Sequence, residues 1–494
     1  MQFQNPGEDR HSAGLRACLT RGVLYTRADI ESANANAHFS EDEFLEYGRD
    51  RTRVTAPDFS VLVFPETTDE VAALIRYCYE QRLAVTASGG RTGLSGGAVA
   101  AHGEVVLSLS RMNRLIDFDP YLPALHVEAG MITAVAQEHA REHGCQFPLD
   151  LAASGSSQVG GNIATNAGGT RMISVGGLRD YVTGLTVVTG TGEILTFPGH
   201  ILKNNSGFDL RSLFIGSEGC LGIITEAVIR LPPAPRTEAT ALFAVPDLAA
   251  ALRLLTIVRS GGVRPLTFEY FDAASLQIVR QHLNLRAPFA AADYPGYVIM
   301  SWDESDQSMD AALEIFSSDA VASLALDVRV AGNSSQAAEL WKFREGISES
   351  IALEARAVHK HDVSVPAAAM SEFVAEATKF LTAGFAGVRM LVFGHLGDGN
   401  LHLNFIPDDS EAGGADSGLE SFRESLPALD AELFSRIARA GGSISAEHGI
   451  GLLKKKYLHY SRSQAEIQLM RGIKAVLDPG GILNPGKVLP AANE

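Results

Sequence analysis

The chain has 494 residues, of which 46% are hydrophobic and 20% are charged, a composition typical of a globular protein long enough for two or three domains. Its formal net charge of −17 argues against nonspecific nucleic-acid binding, but small anionic substrates stay open because they respond to local charge. The sequence contains no run of about 18 apolar residues, so we expect no membrane span.

The N-terminal residues and the cysteines predict a cytoplasmic protein. Residues 1–27 carry charged side chains and no continuous apolar stretch, so no secretory signal is predicted. The four cysteines, Cys18, Cys78, Cys145 and Cys220, are far apart and form no CxxC pair. Free thiols in a reducing cytoplasm are therefore expected.

The first 54 residues predict a polar helical segment, after which strand and helix patterns alternate. Thr67 and Glu70 have the spacing of a capping box that begins a helix. The strand-like residues 83–86 then lead into the loop Ser88–Gly97, in which five of the ten residues are glycine. This loop lacks the spacing of a Rossmann fingerprint and of a Walker A motif. Its backbone N–H groups could still approach an anion closely, and the alternative is a flexible turn.

Two further loops share this composition. Residues 154–169 are rich in glycine, serine and asparagine, and residues 216–222 contain three glycines before a predicted strand at 223–231. A compact domain rarely needs so many such residues for turns alone. Three glycine-rich loops on alternating helices and strands indicate a dinucleotide bound across one domain.

The run Pro232–Pro235 is a predicted domain boundary, because the pattern changes there. Longer helices follow at 247–260, 335–358, 367–381 and 419–440, with strands between them. This arrangement predicts an α+β second domain. Arg344 and Ser348 are four residues apart on one predicted helix and would share a face.

The segment 394–404 predicts a β-hairpin that carries two histidines. Asp398-Gly399 is a strong signal for a two-residue turn, which would place His395 directly opposite His402. Because side chains alternate along a strand, Asn404 would share the face of the two histidines. The leucines of the segment would face the core.

Two imidazoles side by side are half of a metal site, and Glu447 and His448 offer a carboxylate and a third imidazole. Two histidines and one glutamate are a common catalytic metal shell with an open coordination position. The alternative is a pair of ordinary histidines in a hairpin. These residues could also activate water in a metallohydrolase, but a hydrolase has no use for three glycine-rich loops. A cofactor-binding protein without turnover would not need a base, a metal shell and cations together.

Six segments in this order resemble one family. The chain resembles the flavin-dependent D-2-hydroxyacid dehydrogenases of the vanillyl-alcohol-oxidase type from about residue 50 to the C-terminus. Each signature is weak alone, but all six in the right order are specific. The signatures are Ser88–Gly97, Gly160–Gly169, Gly216–Thr225, Gly394–Asn404, Glu447–Gly451 and Asp478–Pro490.

The resemblance implies an α+β fold with a two-part FAD-binding domain of the p-cresol methylhydroxylase (PCMH) type at 55–235. It also implies a substrate domain with a central antiparallel sheet at 236–441, and a segment at 442–494 that returns to the FAD domain. Noncovalent FAD is expected, because the first loop has Arg91 and no His or Cys to attach the flavin. The implied FAD contacts are Ser88, Gly89, Gly90, Arg91, Thr92, Gly93, Leu94, Ser95, Pro148, Asp150, Gly160, Gly161, Asn162, Thr165, Asn166, Gly168, Gly219, Gly222, Ile224 and Asn484.

The resemblance also implies the site and the reaction. The hydroxyacid would be oxidised to a 2-oxoacid, with proton transfer to a base and hydride transfer to flavin N5. Electrons would pass to an electron-transfer flavoprotein or a quinone, and a homodimer is expected. The implied residues are His395, His402 and Glu447 for a divalent metal, most simply zinc, His448 as base and substrate contact, and Arg344, Ser348, Lys360 and Asn404 for substrate.

Two cations and a metal favour a dicarboxylate substrate. Arg344 suits bidentate carboxylate binding, and Lys360 adds a second positive charge. D-2-hydroxyglutarate is therefore favoured, and D-lactate, D-malate and glycolate stay open.

Overall fold

The structure, a computed structural model, describes residues 3–7, 9–31, 40–290, 293–304, 309–408 and 415–491. It divides into two compact units. Unit 1 comprises residues 1–169, 177–234 and 447–494, and unit 2 comprises residues 170–176 and 235–446. Both units combine helices with β-sheets, so the predicted α+β class is confirmed. Among the described residues, no helix is both long and apolar enough to cross a membrane.

Unit 1 contains two sheets with helices between their strands. The four-stranded sheet has the order β1-β2-β4-β3, and the five-stranded sheet has the order β5-β6-β9-β7-β8. The strands are β1 Val23–Thr26, β2 Phe59–Phe64, β3 Val85–Ser88, β4 Glu104–Ser108, β5 Leu115–Asp119, β6 Ala124–Glu128, β7 Val182–Val188, β8 Ile194–Phe197 and β9 Ile223–Arg230. The helices are α1 Asp9–Ala17, α2 Arg27–Glu31, α3 Glu41–Glu46, α4 Thr68–Gln81, α5 Thr133–Glu142, α6 Val159–Thr165, α8 Leu178–Tyr181 and α17 Gln464–Leu477.

The N-terminal segment differs from its helical prediction. Residues Val23–Thr26 form β1, which pairs antiparallel with β2. Valine, tyrosine and threonine favour the pleated, half-buried surface of a sheet, and this edge position outweighs the polar character of the surrounding residues.

Glu70 on α4 anchors the turn before β1. The Thr67 hydroxyl caps the helix as predicted, by accepting from the Glu70 N–H. The Glu70 carboxylate, however, is 2% exposed and accepts from the N–H groups of Thr20, Arg21 and Gly22. Burial raises the pKa of this carboxyl, but the backbone donors outweigh burial and lower the pKa to about 2.

We expect Glu70→Gln to destabilise the protein by about 2 kcal/mol at pH 7, because hydrogen bonds to a charged group are lost. The Glu70 pKa is depressed on folding, so its contribution is present above the unfolded value of about 4.3 and disappears as pH falls through about 2. Thermal unfolding of both proteins as a function of pH tests this. A stability difference that stays constant between pH 7 and pH 2 would contradict it.

Unit 2 is built on one seven-stranded sheet, in which every paired strand is antiparallel. Its order is β13-β10-β12-β11-β15-β16-β14, so the predicted central antiparallel sheet is confirmed. The strands are β10 Glu238–Val245, β11 Pro265–Asp272, β12 Gly296–Asp303, β13 Asp327–Val330, β14 His359–Ser364, β15 Val388–His395 and β16 Asn400–Pro407. The helices are α7 Met172–Val175, α9 Leu248–Ser260, α10 Ala273–His282, α11 Met309–Phe316, α12 Asp319–Ala322, α13 Ser334–Glu345, α14 Ile347–Glu354, α15 Ala367–Gly384 and α16 Ala415–Arg439.

One face of this sheet forms an apolar core with α10, α13 and α14. Phe271, Tyr297 and Phe393 from the sheet lie in this core. The single helix predicted for 335–358 is wrong in one respect, because it is interrupted at Gly346 between α13 and α14. A glycine has no side chain to stabilise the helix and lowers its propensity at that point.

The hairpin β15–β16 has a longer loop than predicted. Phe393, not His395, is the register partner of His402, and residues 396–399 form a four-residue loop. The predicted two-residue turn is therefore wrong, and the register differs by two residues. A shift of two preserves the faces, because the side-chain period of a strand is two. Asp398 stabilises the loop by accepting from the Asn400 N–H at 3.0 Å.

Candidate active site

His395 and His402 face each other across the hairpin. Their Nε2 atoms are 3.4 Å apart, and their rings meet edge to face with centroids 5.1 Å apart. Two donors that are about 2.0–2.1 Å from a tetrahedral metal lie roughly 3.3 Å apart. The separation of the two imidazoles therefore fits a shared metal ion.

A buried carboxylate lies behind each imidazole. Glu269 on β11 is 2.8 Å from His395 Nδ1, and Asp362 on β14 is 3.7 Å from His402 Nδ1. Both carboxylates are almost completely buried. A carboxylate behind Nδ1 favours the proton on that nitrogen and leaves Nε2 as the ligand atom. The 2.8 Å contact with Glu269 thus favours Nε2 of His395 as the ligand atom, whereas Asp362 at 3.7 Å contributes negative charge behind His402.

The charges around the pair favour a cation. Burial raises the pKa of Asp398 to about 6, and the negative charges of Glu269 and Asp362 also raise it, whereas His395 lowers it. Asp362 and Asp398 thus place negative charge beside the two imidazoles, whereas the charge of Glu269 is offset by Arg344 at 2.8 Å. The donor set thus fits a divalent metal on both geometry and charge.

A second cluster on β14 does not fit a metal equally well. His359 and His361 project from the opposite face of β14 to Lys360 and Asp362, and Asp430 of α16 lies against them. Asp430 Oδ1 is 2.6 Å from His359 Nε2 and 2.9 Å from His361 Nε2. These separations are hydrogen-bond lengths, shorter than the roughly 3.3 Å between two ligands of a tetrahedral metal. The cluster is therefore a polar contact that joins β14 to α16.

The chain of unit 2 leads from this sheet to Glu447. Ser443 exchanges two backbone hydrogen bonds with Ser364 at the end of β14, and the Ala446 N–H donates to the Asp362 carbonyl at 3.3 Å. Glu447 follows Ala446 and is the first residue of the last segment of unit 1.

The predicted substrate residues of unit 2 differ in burial. Arg344 is buried, pairs with Glu269 at 2.8 Å and lies over the Phe393 ring. Asn404 is buried beside its register partner Lys360, which is exposed. Ser348 is exposed on α14, beyond the interruption at Gly346.

All of the predicted FAD contacts belong to unit 1, and its three glycine-rich loops converge there. A Cβ atom on Gly90 would lie 2.2 Å from the Ser156 carbonyl oxygen, so the first and second loops approach too closely for any side chain. The Glu218 N–H of the third loop donates to the Ala164 carbonyl on α6. Asn484 of the C-terminal tail donates its side-chain amide to the Glu218 carbonyl.

The converging loops leave room where a cofactor would lie. A Cβ atom on Gly93 or Gly161 would meet no atom within 4 Å. These glycines therefore line open space, as a cradle for a large polar group requires. Ile224, by contrast, places its side chain in the apolar core of unit 1, and Gly222 packs against Val187.

Glu218 also positions the chain that follows His448. Its carboxylate accepts from the N–H groups of Ile450 and Gly451. In addition, Glu447 Oε1 would lie 3.1 Å from a Cβ atom on Gly168 of the second loop. The predicted base and the predicted third ligand are thus held within unit 1 beside two of the glycine-rich loops.

Comparisons with known proteins identify the family. Residues 59–198 match the family described as FAD binding domain, and residues 234–488 match FAD linked oxidases, C-terminal domain. A D-2-hydroxyglutarate dehydrogenase from Xanthomonas citri pv. viticola is 43% identical over 443 residues, which cover 90% of this chain and 92% of that protein. The corresponding protein from Stutzerimonas stutzeri is 37% identical over 478 residues, which cover 97% and 98%.

The chain belongs to the FAD-dependent D-2-hydroxyacid dehydrogenase family. Membership confirms the predicted oxidoreductase class and the FAD cofactor. The solved structure of p-cresol methylhydroxylase with substrate bound superposes with a TM-score of 0.72 at 16% identity, and the match covers 100% of this chain and 98% of that one. This likeness concerns the fold alone and confirms the predicted PCMH-type architecture.

Three carboxylates that support this site were not predicted from the sequence. Glu269, Asp362 and Glu218 lie on elements distant in sequence from the residues that they hold. A signal existed for two of them, since a charge inside the strand-like runs 265–272 and 361–365 needs a partner if it is buried. Glu218 stands in a glycine-rich loop, where a glutamate has no such distinguishing context.

Proposed function

We propose that this protein oxidises D-2-hydroxyglutarate to 2-oxoglutarate, with FAD as the electron acceptor and a divalent metal at His395, His402 and Glu447. Zinc is the simplest metal for two imidazoles and one carboxylate. The observation that carries the proposal is the carboxylate-backed imidazole pair in a chain that matches D-2-hydroxyglutarate dehydrogenases along nearly its whole length.

The chain contributes binding and proton transfer to this reaction. When bound, FAD supplies the two-electron acceptor, and the metal supplies Lewis-acid polarisation of the hydroxyl oxygen. Arg344 binds a carboxylate of the substrate, and Asn404 fixes its orientation with a buried amide. The His448 imidazole accepts the hydroxyl proton, and Glu218 limits the motion of the backbone that carries it. Holding these groups in place lowers the entropic cost of reaction.

The structure changes the charge argument for a dicarboxylate. Glu269 pairs with Arg344, so one of the two predicted cations is already offset by a buried negative charge. Lys360 is exposed on β14 beside Asn404, and it remains the candidate contact for the distal carboxylate. The preference for D-2-hydroxyglutarate over D-lactate therefore depends on Lys360 and on the similarity to the relatives.

We expect Lys360→Ala to lower kcat/KM for D-2-hydroxyglutarate by about 30- to 150-fold, because a charged contact is worth about 2–3 kcal/mol. D-lactate has no distal carboxylate, so its kcat/KM should change less than about threefold. Lys342→Ala, which removes an exposed lysine from α13, is the matched control. Equal losses on both substrates would refute the role of Lys360.

Anaerobic flavin reduction tests the proposal as a whole. The purified holoenzyme is mixed with the D- and L-isomers of 2-hydroxyglutarate, lactate and malate, and with glycolate, while the flavin absorbance near 450 nm is followed. We expect D-2-hydroxyglutarate to bleach the flavin fastest, chelation to abolish bleaching and zinc to restore it. A bound flavin that D-2-hydroxyglutarate does not bleach would refute the substrate. Full activity in a colourless protein would favour a metallohydrolase instead.

The physiological setting is a separate part of the proposal. An electron-transfer flavoprotein or a quinone would reoxidise the flavin, the protein would form a homodimer, and it would act in the cytoplasm. Family resemblance supports the acceptor and the dimer, and the four free cysteines support a reducing compartment. Reoxidation kinetics with each acceptor and light scattering of the purified protein would test the first two.

A further inference from the structure

Glu269 connects two residues that have different predicted roles. Its carboxylate is completely buried on β11, 2.8 Å from Nδ1 of His395 and 2.8 Å from Nη2 of Arg344. His395 is a predicted metal ligand, and Arg344 is a predicted substrate contact. All three residues belong to unit 2.

The contact with His395 determines which imidazole nitrogen can bind a metal. An ionised carboxylate only accepts hydrogen bonds, so Nδ1 must carry the proton. The Arg344 guanidinium, 2.8 Å from Glu269, favours the ionised form of this buried carboxylate. Nε2 then presents its lone pair toward His402.

The contact with Arg344 determines how the guanidinium is presented. The guanidinium lies over the Phe393 ring, 5.1 Å from its centroid, with one Nη engaged by Glu269. Its Nε is buried and has no hydrogen-bond partner among the residues that the structure describes. A buried Arg with an uncommitted Nε–H suits an anionic ligand, and Glu269 compensates its charge when no ligand is bound.

We infer that Glu269 is a positioning residue that holds the His395 imidazole for the metal and the Arg344 guanidinium for the substrate carboxylate at the same time. The inference rests on the proposed function, since it assumes a metal and a carboxylate substrate at this site. It adds that one side chain couples the two binding events.

The sheet itself does not require a charge at this position. The next residue on the same face of β11 is Phe271, which packs in the apolar core. Buried ion pairs are often no more stabilising than apolar residues of similar size. A role in folding alone would therefore explain neither the charge nor its two partners.

Glu269→Gln tests the inference because it keeps the shape and removes one acceptor. Both partners are donors, so the amide NH₂ of glutamine must face one of them. We expect the Kd for zinc to rise about 10- to 100-fold, as for other residues that orient a metal-bound histidine. At saturating zinc, the KM for D-2-hydroxyglutarate should remain raised by about tenfold, because Arg344 is still misoriented. Asp430→Asn, which removes a carboxylate shared by two imidazoles on the opposite face, is the matched control and should change neither value.

The measurements separate this inference from the proposed function. Zinc affinity is measured by competition with a chelating dye on the apo-metal holoflavoprotein, and substrate reduction is measured separately. If the wild-type protein binds zinc but D-2-hydroxyglutarate does not bleach its flavin, the proposed function fails. If wild type behaves as proposed and Glu269→Gln matches it in zinc Kd and KM, the inference fails.

If Glu269→Gln does not fold, the wild-type protein itself can still test the inference. The ¹⁵N chemical shifts of histidine-labelled, metal-free protein report which ring nitrogen is protonated. We expect the His395 signal, assigned by its loss in His395→Gln, to show protonation at Nδ1. Protonation at Nε2 would overturn the inference.

Discussion

His395→Ala and His402→Ala are each expected to abolish tight zinc binding and to slow flavin reduction by D-2-hydroxyglutarate at least 10³-fold. The two Nε2 atoms are 3.4 Å apart, so either substitution leaves a metal with too few ligands on the sheet. Loss of metal polarisation removes several kcal/mol of transition-state stabilisation, and about 4 kcal/mol corresponds to 10³-fold. FAD content should be unchanged, because the predicted FAD contacts belong to unit 1. Metal analysis and stopped-flow absorbance measure both effects.

His359→Ala is the matched control for this experiment. It removes an imidazole from the second histidine cluster of the same sheet, on the opposite face of β14. We expect one equivalent of zinc and normal flavin reduction in this variant, with a lower melting temperature. Zinc that is lost from His359→Ala and retained by His402→Ala would reverse the assignment of the two clusters.

The sequence predicted the histidine face but not the pairing that forms it. Alternation along β15 and β16 correctly placed His395, His402 and Asn404 on one face. A register shift of two residues does not move a side chain to the other face of the sheet. The predicted loop was wrong, since Asp398-Gly399 is also compatible with the second half of a four-residue loop. Local turn propensity cannot separate these loops when Asp398 caps the Asn400 N–H in the longer one.

For the supporting carboxylates, the sequence did not predict which residues they contact. Glu269 is 126 residues from His395 in the chain, and only the neighbouring positions of β11 and β15 in the sheet bring them together. Glu70 illustrates the same point, since its spacing from Thr67 predicted a capping box, whereas its carboxylate binds the turn before β1. Composition identifies that a charge is present in an apolar run, but strand order decides its partner.

The glycine-rich loops could be assigned from sequence for a different reason. Their chemistry depends on the absence of side chains, which sequence shows directly, as at Gly90 beside Ser156. Convergence of the three loops required the fold of unit 1, in which α6 connects the second loop to the third. The cofactor site was therefore predicted as a set of segments, whereas its shape depends on long-range packing.

His448→Asn is expected to lower the rate of flavin reduction by D-2-hydroxyglutarate by about 10³-fold at saturating zinc, within the range for loss of a general base. Asparagine keeps hydrogen-bonding capacity but cannot accept the hydroxyl proton at neutral pH. The backbone around residue 448 should persist, because Glu218 still binds the N–H groups of Ile450 and Gly451. Zinc and FAD contents should match wild type. Anaerobic stopped-flow measurement of the flavin band gives the rate.

Chemical rescue separates proton transfer from simple disruption of the site. The smaller variant His448→Gly should regain part of its activity when imidazole is added, because a free base can occupy the space and take the proton. His459→Asn, which changes an exposed histidine in the same segment of unit 1, should reduce its flavin at the wild-type rate. Fast flavin reduction in His448→Asn, with metal and FAD bound, would remove His448 from the proton path. A slow variant that imidazole does not rescue, but that binds 2-oxoglutarate more than tenfold more weakly, would instead assign His448 to substrate binding.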